Sequence, residues 1–299
     1  MERTGRTADS DNKIRRINVP KIFSMIKQVP TFPAIILFIF VLCGIFAGLI
    51  APHDPNDGNL MEGLTPPSWQ EGGSTKYLLG TDQMGRDMLS RLIHGASISL
   101  AVGVIVVIFA GSLGTIIALV SGFLGGWVDM AISRLVDVMM SMPYILVAVI
   151  MASILGPSLN NIVLILVIVG WAGYARILRS EVLRIKEGDF IRRARVAGCS
   201  TTRIMLHHIL PNILNTLIIL STLQLGMVII MEASLSFLGV GVPPPDPAWG
   251  SMLGEGRQYV TFAWWLCVLP GVAIFFVVLS FNLLGDWLRI RLDPKFRQI

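Results

Sequence analysis

The sequence predicts an all-α integral membrane protein: six transmembrane helices with both termini in the cytoplasm. Three observations carry this expectation. Of 299 residues, 54% are hydrophobic and only 14% charged, with a mean hydropathy of +0.70; soluble domains run nearer to a quarter charged. Five long stretches hold no Asp, Glu, Lys or Arg: residues 28–53, 92–128, 138–175, 204–231 and 258–285. The basic residues, finally, are sorted by loop.

A helix needs about 20 apolar residues to cross the hydrocarbon core of a bilayer. The stretch 138–175 is too long for one span and contains the turn former Gly156-Pro157-Ser158-Leu159-Asn160-Asn161, which divides it into a helical hairpin. Six spans follow, near 33–51, 98–120, 138–155, 162–178, 212–232 and 263–283. The runs are continuously apolar rather than apolar at every second residue, which excludes the strands of a membrane barrel. The organisation read from this is a cytoplasmic N-terminal tail, 1–32, and an anchor helix, 33–51. An extracytoplasmic segment, 52–96, leads to a five-helix core, 97–285, whose cytoplasmic loop is 179–211, and a cytoplasmic tail, 286–299, ends the chain. The first span follows a basic tail too long for a signal peptide, so it is read as an uncleaved anchor. The external segment is rich in turn formers, Pro52-His53-Asp54-Pro55 and Thr65-Pro66-Pro67-Ser68-Trp69, and is expected to pack on the outer mouth rather than fold alone.

With the N-terminus inside, only Lys76, Arg86, Arg91 and Arg257 of the 24 basic residues fall outside, an orientation set by the positive-inside rule. The net charge of +5 is therefore a topology signal and points to no nucleic-acid partner. Cys43, Cys199 and Cys267 lack metal or disulfide spacing and read as buried filler. Arg134 and Asp137, one turn apart at the inner entry of span three, are placed to pair. Met139, Met140 and Met142 read as helix-packing residues, and Trp249, Trp264 and Trp265 as interfacial anchors. His207 and His208 are adjacent and so point to different faces, which makes no metal site.

The segment from Lys186 to Pro211 carries the most information. Phe190, Ile191, Ala194 and Ala197 recur at helical spacing with arginines between them, an amphipathic helix. Gly198 breaks it, Ser200 caps a following helix, and Pro211 is expected at the start of span five. The result is a cytoplasmic helix–turn–helix elbow, able to transmit a push from a soluble partner; a basic surface loop obeying the positive-inside rule is an equal reading of the same residues. Outside, Asp82, Gly85, Arg86 and Asp87 read first as a hydrogen-bonded turn and helix cap, second as a solute contact. Glu232, near the outer end of span five, is costly in lipid unless it meets water or a partner. With Ser234 and Ser236 it marks a candidate pathway or gate.

Four segments together resemble one family. Arg192-Arg193-Ala194 with Gly198, Leu210 and Pro211 resembles the coupling loop of binding-protein-dependent ABC importers, whose pattern begins Glu-Ala-Ala; only the last alanine matches there, and His208 stands at the pattern's Ile. Leu79-Gly80-Thr81-Asp82-Gln83-Met84-Gly85-Arg86-Asp87-Met88-Leu89-Ser90-Arg91 resembles the LGTDxxGRDxxSR signature of dipeptide, oligopeptide and nickel permeases. Ala233-Ser234-Leu235-Ser236-Phe237-Leu238-Gly239 with Pro243 to Gly250, and Asn282 to Pro294, resemble that family's ASLSFLG…PPxPxWG and NLLGDxLRxxLDP segments, in the manner of its C-subunit permeases. The resemblance implies a type I ABC importer permease bundle in a bacterial inner membrane. It implies a second homologous permease in a heterodimer, two ATP-binding cassette subunits and an extracytoplasmic solute-binding protein for short peptides or similar solutes. It also implies an elbow of Phe190, Ile191, Arg192, Arg193, Ala194, Ala197, Gly198, Cys199 and Ser200 that couples to an ATPase. No Walker A sequence occurs in this chain, so ATP and Mg are expected on the partner subunits, with no cofactor, metal or catalytic residue on this one. A self-sufficient secondary transporter or channel is the rival class, and the chain shows neither the internal repeats nor the intramembrane ion sites such proteins tend to carry.

Overall fold

The computed structural model describes residues 30–292. All but the last three residues of the expected N-terminal tail, and the end of the C-terminal tail with Lys295 and Arg297, lie outside the described residues. Within them the chain is helical, with only two isolated β-bridges, Gly58 to Arg86 and Thr81 to Asp87.

Helix α1 (Thr31–Ile45) is interrupted at Phe46 and followed by the single turn α2 (Ala47–Ile50). After the external segment come α3 (Met88–Leu124), α4 (Gly126–Ser141), α5 (Tyr144–Leu155), α6 (Leu159–Lys186) and the short α7 (Asp189–Val196). Then follow α8 (Thr201–Phe237), α9 (Trp249–Gly256) and α10 (Trp265–Leu292). Among the described residues α3, α6, α8 and α10 are each long and apolar enough to cross a bilayer, and α4 with α5 make a fifth candidate. That fifth is bent by 87°. The cause is local: Pro143 has no N–H to donate, and its ring forces Met142 into an extended conformation, which ends α4. The hairpin expected at Gly156 is present, with Gly156 at positive φ after α5 and Ser158 opening α6.

The bundle is organised along α3. Its 37 residues run about 55 Å at 1.5 Å each, well beyond the ~30 Å hydrocarbon core, so it protrudes at its ends. Ala110, Gly114, Ala118 and Gly122 fall every fourth residue on one face, and all four are buried. A Cβ on Gly114 would lie 2.8 Å from the Trp171 carbonyl oxygen, and one on Gly122 2.8 Å from Val182 Cγ1. Only small residues admit α6 this closely, the means by which helices associate where lipid is as apolar as leucine.

One feature extends the sequence reading and one departs from it. Pro211 lies in the first turn of the α-helical part of span five, Leu210–Phe237, as expected, but the helical path is continuous with ten further residues ahead of it, so α8 begins at Thr201. A π-helical stretch, Ile204–Ile209, widens the helix just ahead of the ring, and the Asn212 side-chain amide donates to the His208 carbonyl at 2.5 Å. Asp137 pairs with Arg176 of α6 at 2.6 Å, not with Arg134, while Arg179 makes a bidentate pair with Asp129. Both arginines lie on the end of α6 and clamp α4. Met139 is half-buried against Val136 and Trp171, whereas Met140 and Met142 are exposed on this chain.

The segment between α8 and α10 contains α9, which lies against α3, α8 and α10. Trp249 at its start is fully buried: its indole N–H donates to the Leu92 carbonyl at 3.0 Å, and its ring meets Phe40 edge-on. Trp265 is likewise buried and donates to the Thr81 carbonyl at 3.0 Å. Neither is an interfacial anchor; both pin the outer end together. Gly250 lets α9 touch the α8 backbone at Ala233 with no room for a Cβ. Gly250→Leu is expected to lower the thermal midpoint of the purified protein by the equivalent of about 1–3 kcal/mol or more, read by unfolding in detergent; an unchanged midpoint would mean that α9 does not dock this way.

Candidate functional site

The expected coupling residues form one continuous structure at one end of the bundle. Glycine at 188 precedes α7, and Asp189 in its first turn and Arg193 and Arg195 in its last complement the helix dipole. Ile191 and Ala194 are buried in a cluster with Leu119, Phe123, Val182, Ile204 and Ile209, each large apolar side chain contributing about 1.5–3 kcal/mol. Phe190 and Ala197, expected on the same face, are instead exposed, because α7 is only two turns long and its docked stripe is a single turn wide. Arg192 and Arg193 are also exposed; Arg192 lies 3.7 Å from Glu187, a contact in open solvent. The Arg195 guanidinium sits over the Phe123 ring at 5.3 Å and Lys186 over the same ring at 5.8 Å, which ties the elbow to the end of α3.

The turn is a Schellman motif: Gly198 N–H donates to the Arg195 carbonyl and Cys199 N–H to the Ala194 carbonyl, both at 3.0 Å, with Gly198 at φ +78°. Ser200 then accepts from Arg203 N–H and starts α8. Cys199 is half-buried against the same apolar cluster. The elbow is thus clamped to α3, α6 and α8 at once, and it presents Val196, 91% exposed, and Phe190, 45% exposed, outward among arginines.

The pathway candidates lie roughly 45–50 Å away along α8. Glu232 is fully buried and accepts from Ser99 Oγ of α3 at 3.0 Å and from Ser236 Oγ at 2.8 Å. Ser236 in turn accepts from Val242 N–H at 3.2 Å. The carboxylate therefore joins α3, α8 and the loop after α8 rather than facing an open mouth. Ser234 is on another side of α8, half-exposed, its hydroxyl turned to the Ile230 carbonyl.

The external signature is buried. Asp82 accepts from the backbone N–H of Met84 and Arg86 and from Arg86 Nε at 2.6 Å; Asp87 caps α3 through Ser90. Gly85, at positive φ, lies where the Asn59 backbone leaves no room for a side chain. Arg86 reaches across to Glu255 of α9 at 2.8 Å, and Arg91 approaches the same carboxylate at 3.5 Å. Arg91 and Glu255 were not legible as site residues, since Glu255 is separated from its partners by more than 160 positions. Nearer the surface, Lys76 and Tyr77 both donate to Glu62, and the Lys76 contact holds that carboxyl below the usual range. Between α3, α5, α6 and α8 lies a cavity of about 80 Å³ lined by Tyr144, Gly170, Tyr174, Gln224, Met227 and Met231, none of which was singled out in the sequence. The one available signal was an amide at position 224, midway along an apolar span.

Residues 110–298 match the family described as binding-protein-dependent transport system inner membrane component. The chain is 43% identical over 261 residues to the di/tripeptide transport system permease protein DppC of Pseudomonas aeruginosa, covering 87% of this chain and 86% of that one. It is 45% identical over 267 residues to the dipeptide transport system permease protein DppC of Escherichia coli K12, covering 89% and 88%. Its fold is similar to a chain of an inward-facing MetNI methionine ABC transporter, with a TM-score of 0.57 at 19% identity over 69% of this chain and 98% of that one.

Two substitutions test the geometry at the two ends. Gly198→Ala places a Cβ at φ +78° and is expected to cost about 1–2 kcal/mol, measured as a lowered thermal midpoint; no change would mean that the Schellman turn is not maintained. Glu255→Ala removes one of the two carboxylates shared by the buried Arg86 and Arg91, leaving Asp82 to both, and is expected to cost about 1–3 kcal/mol, with Glu255→Gln milder. Equal midpoints for wild type and Glu255→Ala would remove the outer charge network from the account.

Proposed function

The chain belongs to the family of binding-protein-dependent transport system inner membrane components, and we propose that the solute it passes is a short peptide. It is a permease subunit of an ATP-driven importer. In this reading it forms half of a translocation pathway with a second, homologous permease in a heterodimer. Two ATP-binding cassette subunits, holding ATP and Mg, act on it from the cytosol, and an extracytoplasmic solute-binding protein delivers the peptide. The chain itself does no chemistry on the solute. It crosses the bacterial inner membrane six times with both termini inside, α1 serving as the anchor and α4 with α5 as one broken span. The names of its relatives support the peptide assignment.

The observation that carries the coupling role is the elbow. A surface loop held only by the positive-inside rule has no reason to bury Ile191 and Ala194 while keeping Val196 and Phe190 out in water. An apolar pair framed by Arg192, Arg193 and Arg195 is what a groove on a soluble partner would receive, with Ala197, Gly198, Cys199 and Ser200 shaping the turn. ATP binding draws the two ATPases together, the elbows move with them, and the packing of α3 on α6 and α8 carries that motion outward. Differential affinity of ATP for the two states supplies the drive. Glu232 with Ser99 and Ser236 serves as the tie that holds the outer ends of α3 and α8 together in the closed state, with Ser234 facing the side that opens. Asp82, Gly85, Arg86 and Asp87 brace the outer mouth.

In the assembled importer, Val196→Cys is expected to crosslink to an ATPase subunit and to be labelled only from the cytosolic side. Val196→Asp, which would bury a charge in that contact, is expected to lower peptide uptake at least about tenfold in proteoliposomes. Crosslinks confined to lipid or to the partner permease, or labelling from outside, would overturn the coupling assignment.

A further inference from the structure

The small cavity between α3, α5, α6 and α8 is the place where the bundle's polarity is out of keeping with its depth. Gln224 lies midway along α8, the part of a span farthest from water, and is half-buried at the cavity wall. An amide there is costly against lipid, so this side of α8 faces water or another polar group for part of the cycle. Tyr174, across the cavity on α6, is 2% exposed, and among the described residues its hydroxyl has no hydrogen-bond partner at good geometry; Ser221 of α8 is close enough to interact with it weakly. A buried hydroxyl left unpaired costs about 1–3 kcal/mol, a cost with no structural return in a resting bundle. Tyr144 on α5, by contrast, is satisfied by the Leu166 carbonyl at 3.3 Å.

The rest of the lining sets the chemistry. Gly170 leaves one wall open, Met227 and Met231 are adaptable side chains at another, and Met227 is half-exposed at the rim. Among the described residues no Asp, Glu, Lys or Arg lines the cavity. Its volume, about 80 Å³, exceeds the roughly 10–15 Å³ that one water requires but falls well short of a whole peptide. The site is therefore built for one neutral, hydrogen-bonding unit flanked by apolar surface, and it offers nothing to a charged terminus.

We propose that this cavity is a subsite of the translocation path that receives one peptide unit of the passing solute, with the Tyr174 hydroxyl and the Gln224 amide hydrogen-bonding to it. The inference rests on the peptide reading above and deepens it by naming two side chains of this chain that meet the backbone of the solute.

The test uses the complete importer in proteoliposomes, with its binding protein saturated with radiolabelled alanyl-alanine. Tyr174→Phe keeps the ring and removes the unpaired hydroxyl. It is expected to lower the uptake rate about three- to tenfold, as the loss of one or two neutral hydrogen bonds would, while the thermal midpoint of the complex stays equal or rises. Gln224→Leu is expected to lower uptake in the same range. Wild-type uptake in both variants would overturn the proposal, and so would a fall in uptake accompanied by a lowered midpoint in Tyr174→Phe, because the hydroxyl would then be structural. Absence of labelled peptide uptake by the wild-type importer is a separate result and would overturn the peptide reading itself.

Discussion

The close approach of α3 to α6 is the contact on which the rest of the molecule depends. Ala110, Gly114, Ala118 and Gly122 form a flat strip with no side chain beyond a methyl, and the backbone of α6 at Trp171 and Ala175 lies directly on it. In lipid there is no hydrophobic drive to bring two apolar helices together, so the gain is dispersion over a wide, tight interface. Because the strip is straight and rigid, α3 and α6 behave as one unit. Three features are attached to that unit: the elbow at one end through Phe123 and Val182, the amide-bearing cavity near the middle through Tyr174, and the charged network at the other end through Arg91.

The two ends are fixed by different physics. The inner end is held by apolar burial of Ile191, Ala194 and Ile204 under a Schellman turn, with cations stacked on Phe123. Such a joint tolerates rigid-body movement because it contains few directional bonds. The outer end is held by hydrogen bonds and ion pairs among Asp82, Arg86, Arg91 and Glu255, closed over by Trp249 and Trp265. Those contacts are directional and desolvated, and they break as a group. The end that carries the elbow is thus the compliant one and the far end the brittle one.

Glu232 sits between these regimes. It links α3 to α8 through two serine hydroxyls and reaches the following loop through Ser236. Its environment holds hydroxyl and amide donors but no cation among the described residues, so its hold on α3 is the kind of contact that small helix displacements can release.

The sequence by itself determined the membrane class, the helix periodicity of the spans, the hairpin at Gly156, the Gly198 turn and the Asp87 cap. Each of these is decided by a few adjacent residues: an uncharged run, a left-handed glycine, a carboxylate ahead of free N–H groups. Tertiary structure decided what depends on residues distant in the chain. Pro211 heads the α-helical part of α8, where its missing N–H costs least, but the residues ahead of it stay helical in π form, with Ile204 and Ile209 buried in the cluster that also holds Ile191. Trp249 and Trp265 became core rather than interface because α9 folds back over α3, and Glu255 became the partner of two arginines for the same reason. The four-residue spacing of small side chains in α3 was written in the sequence, but its meaning required a second helix. Local conformation costs are paid within a turn of chain, whereas burial, charge pairing and polar satisfaction belong to whichever neighbours the packed bundle supplies.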